Sequence, residues 1–303
     1  VPGQHVIDDP REGGAVPEMP TSPPAQQQRP PGTSGEMDPT PRDEMRAYRG
    51  RDLLAGSRAL VTGGDSGIGR AVSVGFAKEG ADVAIVYFDE SEDADARHTA
   101  RLVEQEGRRC LLRRGDLASE EFCQRVVDEV AAEFGGLDVV VNHAGTQAAV
   151  DDLRELSTEA FDRTFRVNVH SAFWITRAAL HHVGSPASVI NTGSVNGLRG
   201  NKSMVDYSAS KAAIHAMTKS LAQQLSQSGV RVNCVAPGPV WTPLIPSTFP
   251  QQKVAGFGDQ APMGRMAHPD EIAPSYVFFA SDLLSSYYTG EVFAPVGGET
   301  HPG

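Results

Sequence analysis

Tyr207 and Lys211 stand four residues apart in a stretch whose pattern predicts a helix from about Val205 to Ser228, with Gly229 as its stop signal. Both side chains therefore share one helix face, a turn apart. A free phenol, with a pKa of about 10, holds its proton too tightly to serve as a base near neutral pH. An ammonium at roughly 4 Å and an effective dielectric of about 20 would stabilise the phenolate by up to about 4 kcal/mol before desolvation. That is enough to lower the phenol pKa by as much as about three units. The pair is thus suited to exchanging a proton with an oxygen of a bound molecule. On its own, a Tyr-x-x-x-Lys spacing is common on solvated helix faces, so its weight depends on what surrounds it.

A second group could bind an anion. Thr62-Gly63-Gly64-Asp65-Ser66-Gly67-Ile68-Gly69 joins the apolar run Ala59-Leu60-Val61 to a stretch that reads as a helix over Gly67–Lys78. Gly63 allows a tight turn, Gly67 lets backbone approach a pyrophosphate, and Gly69 lets helix and strand pack closely. The helix start offers free N–H groups to the phosphates. A glycine-rich loop alone is a weak signal, but its place between the first strand and first helix of a βαβ unit raises its value.

The elements that must position these groups alternate. Apolar strands are expected at Val83–Val86, Arg109–Leu112, Leu137–Asn142, Ser188–Thr192, Val230–Val235 and Glu291–Pro295. Helices are expected at Asp93–Gln105, Glu120–Phe134, about Ser157 to His182, and Pro269–Ser281. Near-continuous apolar strands between amphipathic helices imply an α/β fold, a Rossmann-type doubly wound parallel sheet forming a single domain. Its ligands should sit at the carboxyl ends of the strands. Residues 50–303 are the expected dinucleotide-binding catalytic domain, with a lid at about 239–268. Residues 1–49 form a Pro-rich N-terminal extension, since ten of the 21 prolines fall within residues 1–41. Such a segment cannot offset its ordering entropy by itself and should be disordered or extended, unless it lies against its own domain or a neighbouring subunit. Asp43–Tyr48 reads as a short helical turn.

The ordered set of motifs resembles the short-chain dehydrogenase/reductase family over about residues 50–298. The resemblance rests on the Thr62–Gly69 loop and on Asp116-Leu117 after the third strand. It continues with Asn142-His143-Ala144-Gly145 after the fourth, and with Asn168 in Arg166-Val167-Asn168-Val169. Ser194 lies 13 residues before Tyr207, Lys211 four after it, and Pro237-Gly238-Pro239 precedes Thr242. A Pro-rich arm, Gly-Gly-Asp-Ser-Gly-Ile-Gly-Arg and Trp241–Pro246 further resemble a bacterial subgroup of general-stress or sporulation-associated oxidoreductases. The resemblance implies hydride transfer between a nicotinamide, NAD(P), and a carbonyl or alcohol. Tyr207 would be the acid/base, Ser194 would hold the substrate oxygen, Lys211 would also bond the nicotinamide ribose, and Asn168 would anchor a water that relays protons. Gly63, Asp65, Ser66, Gly67, Ile68, Gly69, Tyr87, Asp89, Asp116, Leu117, Asn142, Ala144, Gly145, Pro237, Gly238, Val240 and Thr242 would join Tyr207 and Lys211 in contacting the cofactor. A homotetramer is implied as well, paired through the helices at about Ser157–His182 and Val205–Ser228. A non-catalytic NAD(P)-binding redox sensor or scaffold subunit is the alternative, although a mere binder needs no Tyr207.

Three points stay open in the sequence. His143 replaces the family's second asparagine, either as a tolerated substitution at a strand end or as a pH-sensitive group near the nicotinamide. NAD-specific members usually place an acid at the end of the second strand. Here Tyr87 holds that position, no arginine follows to pair with a 2′-phosphate, and Asp65 and Asp89 would repel one. Finally, Trp241, Leu244, Ile245, Phe249 and Phe257 either line an apolar pocket or pack the lid onto the core.

Composition excludes other classes. A net charge of −11 disfavours a nucleic-acid partner, which needs a basic stripe. No apolar run approaches the roughly 20 residues of a membrane span, and no secretory signal is read at the N-terminus. Cys110, Cys123 and Cys234 are widely spaced and odd in number, which fits neither a disulfide framework nor a metal site. A reducing, cytoplasmic setting and buried, inert thiols are expected.

Overall fold

The structure is a computed structural model that describes residues 22–300. Seven parallel strands form one sheet: β1 (Arg58–Thr62), β2 (Asp82–Tyr87), β3 (Cys110–Arg114), β4 (Leu137–Asn142), β5 (Val183–Thr192), β6 (Val230–Val235) and β7 (Val292–Phe293), in the order β3-β2-β1-β4-β5-β6-β7. The order reverses between β1 and β4. In a doubly wound sheet this opens a crevice at their carboxyl ends.

The strands are buried on both faces because successive side chains point opposite ways. Ala59 and Val61 join one core with Val83, Ile85, Val139 and Val141. Leu60 joins the other with Ala84, Val86 and Val140. The first core is covered by α1 (Gly67–Lys78) and by a late helix, Pro269–Ala280. The second is covered by α3 (Glu120–Phe134), with α2 (Asp93–Gln105) lying beside α1.

The expected single helix from Ser157 to His182 is interrupted. It comprises α4 (Thr158–Phe165), one π turn over Arg166–His170, and α5 (Ser171–Ala179). The main-chain N–H of Ser171 reaches back to Arg166 O, five residues away. The Ser171 hydroxyl donates instead to Val167 O at 2.6 Å, so the carbonyl that the wider turn would orphan is satisfied. A short helix, α6 (Val195–Arg199), follows β5, and α7 (Val205–Leu225) ends in a 3-10 turn before Gly229. The remaining helices are α8 (Leu244–Thr248), α9 (Gln251–Val254), α10 (Pro269–Ala280) and α11 (Asp282–Ser285).

Of the states open to the N-terminal extension, residues 22–49 adopt the one packed on their own domain. Met45 is buried in the first core. Met37 is buried with Trp241, Ile245, Val254 and Met266. The Trp241 indole donates to Pro39 O at 2.7 Å, and Gln28 N–H donates to Pro246 O at 2.8 Å. The turn expected at Asp43–Tyr48 is reduced to one hydrogen bond, Tyr48 N–H to Met45 O. Residues 1–21 of the extension lie outside the described residues.

Candidate active site

A cavity of about 750 Å³ opens at the carboxyl ends of β1, β4 and β5. Its floor is the glycine-rich loop. Gly63 and Gly67 have φ of +66° and +52°, which a side chain would strain. A Cβ on Gly69 would fall 1.8 Å from Gly63 O, so only glycine permits this return of α1 onto the loop. Gly63, Asp65, Ser66, Gly67 and Ile68 line the cavity. Gly69 does not; its place is the packing just described. The loop's glycine cradle and the start of α1 fit a pyrophosphate.

At the far end of the cavity lie Tyr87, Phe88, Glu92, Asp116, Leu117 and Arg163. Asp89 is not among the lining residues. It caps a 3-10 turn at Glu90–Glu92 by accepting Ser91 N–H. That turn brings Glu92 into the wall, where its carboxylate accepts the N–H groups of Phe88 and Asp89. Burial, with Asp65 nearby, raises Glu92 to about 7. Burial likewise raises Asp65 to about 6, and its Oδ2 has no partner in the protein. Glu92 was not legible in the sequence, because its position depends on how tightly the chain turns after β2. Arg163 was also missed. It ion-pairs with Asp116 at 2.7 Å and lies over the Phe88 ring.

The reactive wall is built by β5, α6 and α7. Ser194 sits where β5 ends and caps α6, its Oγ accepting Asn196 N–H. This capping role coexists with a place on the cavity wall. Tyr207 and Lys211 project from α7 beside it, both buried. Burial raises the Tyr207 phenol, while the neighbouring Ser194 hydroxyl pulls it down. The lowering by Lys211 that the four-residue spacing suggests is not found. The ammonium lies 5.7 Å from the centre of the phenol ring and donates to Thr192 O at 2.8 Å. Burial in turn lowers Lys211 to about 8. Under the Ser194 turn, the ring of His215 accepts Ser194 N–H through Nε2 at 3.4 Å. His215 stands four residues beyond Lys211 on the same helix face and was also missed.

Asn168 occupies the π turn and is not in the wall itself. Its Oδ1 accepts Thr146 N–H, and its Nδ2 donates to Thr146 O and Ser210 Oγ. Asn142 is likewise behind the wall. It donates to Thr176 Oγ1 and Asn191 Oδ1, both at 2.9 Å, joining β4 to α5 and β5. Its neighbours Ala144 and Gly145 do line the cavity, as do His143, Pro237, Gly238, Val240 and Thr242. The His143 ring meets Thr192 Oγ1 at 3.2 Å, and that hydroxyl meets the Tyr276 phenol at 2.8 Å. Burial, aided by the charge of Lys211, holds His143 down to about 3. The ring's bond to Thr192 is the one that a tolerated substitution at a strand end needs.

The aromatic and aliphatic residues of the segment expected as a lid divide in two. Leu244, Ile245, Phe249 and Phe257 line the cavity, whereas Trp241 is fully buried against the arm. The cysteines are free. Burial pushes each thiol up to about 12, as inert apolar packing requires. Among the described residues, no helix is long and apolar enough to cross a membrane.

A family model described as Enoyl-(Acyl carrier protein) reductase matches residues 63–300. General stress protein 39 of Bacillus subtilis is 51% identical over 276 residues, covering 91% of this chain and 96% of that protein. The chain belongs to the short-chain dehydrogenase/reductase family. The chloroplastic NADPH-dependent aldehyde reductase 1 of Arabidopsis thaliana is another relative, 45% identical over 272 residues, covering 88% of this chain and 94% of that protein. A short-chain dehydrogenase from Burkholderia cenocepacia, solved in complex with NADP, superposes with a TM-score of 0.75 at 33% identity. It covers 81% of this chain and 98% of that one. Membership in the family makes the protein an NAD(P)-dependent oxidoreductase. Gly63 and Gly67 line the cavity without side chains, which suits close approach of that cofactor's pyrophosphate.

Proposed function

We propose that this oxidoreductase interconverts a carbonyl and an alcohol, with Tyr207 exchanging the proton at the substrate oxygen. One observation carries the reading. The Ser194 hydroxyl and the Tyr207 phenol line one wall of the cavity as neighbours, close enough for Ser194 to draw the phenol pKa down, so both can meet the same oxygen atom. The nicotinamide, when bound, supplies or accepts the hydride at carbon. In reduction Tyr207 donates its proton to the substrate oxygen; in oxidation it takes that proton back. Ser194 holds the oxygen in line and stabilises charge that develops on it. The buried Lys211 ammonium lies over the phenol ring and is held at this wall by Thr192 O, where the resemblance also assigns it the nicotinamide ribose.

Asn168 fits a positioning role with room for a relay. A Cβ on Gly145 would lie 3.4 Å from Asn168 Oδ1 and 3.5 Å from Lys211 Nζ. Glycine at 145 keeps side-chain atoms from between Asn168 and Lys211, which suits a water bridging the two, since Oδ1 keeps one acceptor position beyond its bond to Thr146. The apolar lid residues suit an aldehyde or ketone with a hydrophobic body. We assign residues 1–49 to an arm, residues 50–303 to the catalytic domain, and the setting to the cytoplasm. The exposed Phe173 on α5 and Val205 on α7 support pairing of these helices in a homotetramer, which the mass in solution would test.

The deciding experiment is a turnover screen of aldehydes, ketones and alcohols with NADH, NADPH and their oxidised forms. An α,β-unsaturated thioester serves as the contrasting substrate. Carbonyl or alcohol turnover that vanishes in Tyr207→Phe is expected. Reduction of the carbon–carbon double bond alone, or full turnover in Tyr207→Phe, would refute the assignment. Cofactor binding without any turnover would favour a binding subunit instead.

A further inference from the structure

Arg70 lies one helical turn into α1, is 3% exposed, and faces away from the chemistry. Its guanidinium nevertheless grips the cofactor loop. Nε and Nη2 donate to Asp65 O at 3.1 and 3.0 Å. Thr99 Oγ1 donates to the same carbonyl at 2.7 Å. A trans peptide points its C=O and its following N–H in opposite directions. Drawing the Asp65 carbonyl toward Arg70 therefore turns the Ser66 N–H the other way. Ser66 is a cavity-lining residue at the start of α1, where a main-chain donor is aimed for an anion.

Arg70 is in turn held by two carboxylates. Asp95 of α2 accepts Nη2 at 2.6 Å. Asp43 accepts Nη1 at 3.1 and 3.4 Å. Asp43 comes from the N-terminal arm and is itself 2% exposed. Ser34 of the arm adds a hydrogen bond to Asp43 and donates its own N–H to Asp95. The same arm borders the cavity directly through Pro30, Pro31 and Gly32. It is pinned to the lid through Trp241 and Pro246. The arm therefore connects the two walls between which a dinucleotide must lie.

We propose that Asp43 is a positioning residue for the cofactor: through Arg70 it fixes the Asp65–Ser66 peptide of the phosphate loop, so that the N-terminal arm completes the dinucleotide site. The proposal rests on the reading of this cavity as the NAD(P) site, and it goes beyond that reading by giving the arm a task in binding. A carboxylate that merely anchored the arm would affect stability and leave cofactor affinity alone.

The test uses the full chain and the fluorescence of bound NADH and NADPH, with thermal denaturation alongside. Asp43→Ala should raise the dissociation constant of the preferred cofactor about five-fold or more, the scale of a charge-assisted hydrogen bond lost one step from the ligand. The kcat at saturating cofactor should stay within about two-fold. Asp43→Asn should recover part of the affinity, because its carboxamide oxygen still accepts from Arg70. Glu36→Gln, an exposed change on the same arm, should bind as the wild type does. Wild-type affinity in Asp43→Ala, with or without a lower melting temperature, would overturn the proposal. If Asp43→Ala does not fold, Asp43→Asn decides: a weakened cofactor supports the proposal, an unchanged dissociation constant overturns it. Failure of the wild-type chain to bind either nucleotide would sink the cofactor reading instead.

Discussion

Asn168 and Thr146 hold each other by two hydrogen bonds: Thr146 N–H donates to Asn168 Oδ1 at 2.8 Å, and Asn168 Nδ2 donates to Thr146 O at 2.9 Å. The π turn on one side and the segment after β4 on the other are thereby locked in register. That segment includes Gly145, which lies beside Lys211 Nζ. Asn168→Ala leaves both main-chain groups of Thr146 in need of water, at a cost of about 1–3 kcal/mol. It should also lower kcat by about ten-fold or more, since a misplaced acid/base assembly forfeits orientation. Asn168→Asp should do likewise, because an ionised carboxylate cannot donate to Thr146 O. Urea unfolding with steady-state kinetics checks both effects. Wild-type kcat in either variant would argue against the positioning role.

Gly69 is the sharpest steric constraint on the cofactor loop. Its added Cβ would lie 1.8 Å from Gly63 O and 2.9 Å from Gly64 Cα, and backbone atoms have little freedom to yield. Gly69→Ala should therefore displace the loop from α1, destabilising the protein by about 1–3 kcal/mol. Nucleotide affinity should fall by a larger factor than in a surface control. Titration with NADH and NADPH measures this, and tight binding in Gly69→Ala would mean that the loop does not carry the pyrophosphate.

The acid/base assignment makes a graded prediction. Tyr207→Phe removes the only group assigned to give and take the proton, and should lower kcat by about 10²–10⁴-fold. Ser194→Ala removes one hydrogen bond to the reacting oxygen and should cost about 10²–10³-fold. Both variants should still bind the cofactor. Equal losses in cofactor affinity and in turnover would point to a collapsed site rather than to lost chemistry.

Much of this was legible in the residues because the signals are local. The strand–loop–helix around Gly63–Gly69 and the Ser194, Tyr207, Lys211 spacing each depend on backbone geometry over a few residues. What escaped depends on longer contacts or on small changes of pitch. The π turn reads as ordinary helix, since Ser171 is as compatible with one as with the other until its hydroxyl captures Val167 O. Asp89 and Glu92 differ only in which the 3-10 turn carries into the wall. The arm has the composition of a disordered segment, yet residues 22–49 are held by a few anchors far away in sequence, namely Met37 and Met45 in apolar clusters and Asp43 on Arg70. Composition counts average over such anchors. The four-residue spacing of Tyr207 and Lys211 fixes a shared face but not a side chain's final partner, which for Lys211 is Thr192 O.

Buried histidines should make stability depend on pH. His215 is lowered from 6.5 to about 4, chiefly by burial, with Lys211 and Lys219 adding to it. Its folded value lies below its unfolded value, so the unfolded chain binds more protons between these limits. Its contribution is therefore complete above about pH 7 and is lost as the pH falls toward 4. Between pH 7 and pH 5 the loss amounts to about 2 kcal/mol. Asp43, Asp65 and Glu92 have raised values of about 7, 6 and 7 and act with the opposite sign, favouring the folded state as the pH falls. The wild-type curve sums both tendencies, so the histidine is isolated by comparison. His215→Gln, which cannot titrate, should lose about 2 kcal/mol less than the wild type between pH 7 and pH 5. Guanidinium unfolding at the two pH values gives the difference directly. Parallel curves for the two proteins would show that His215 is protonated to the same extent folded and unfolded, and that burial beneath Ser194 does not hold it neutral.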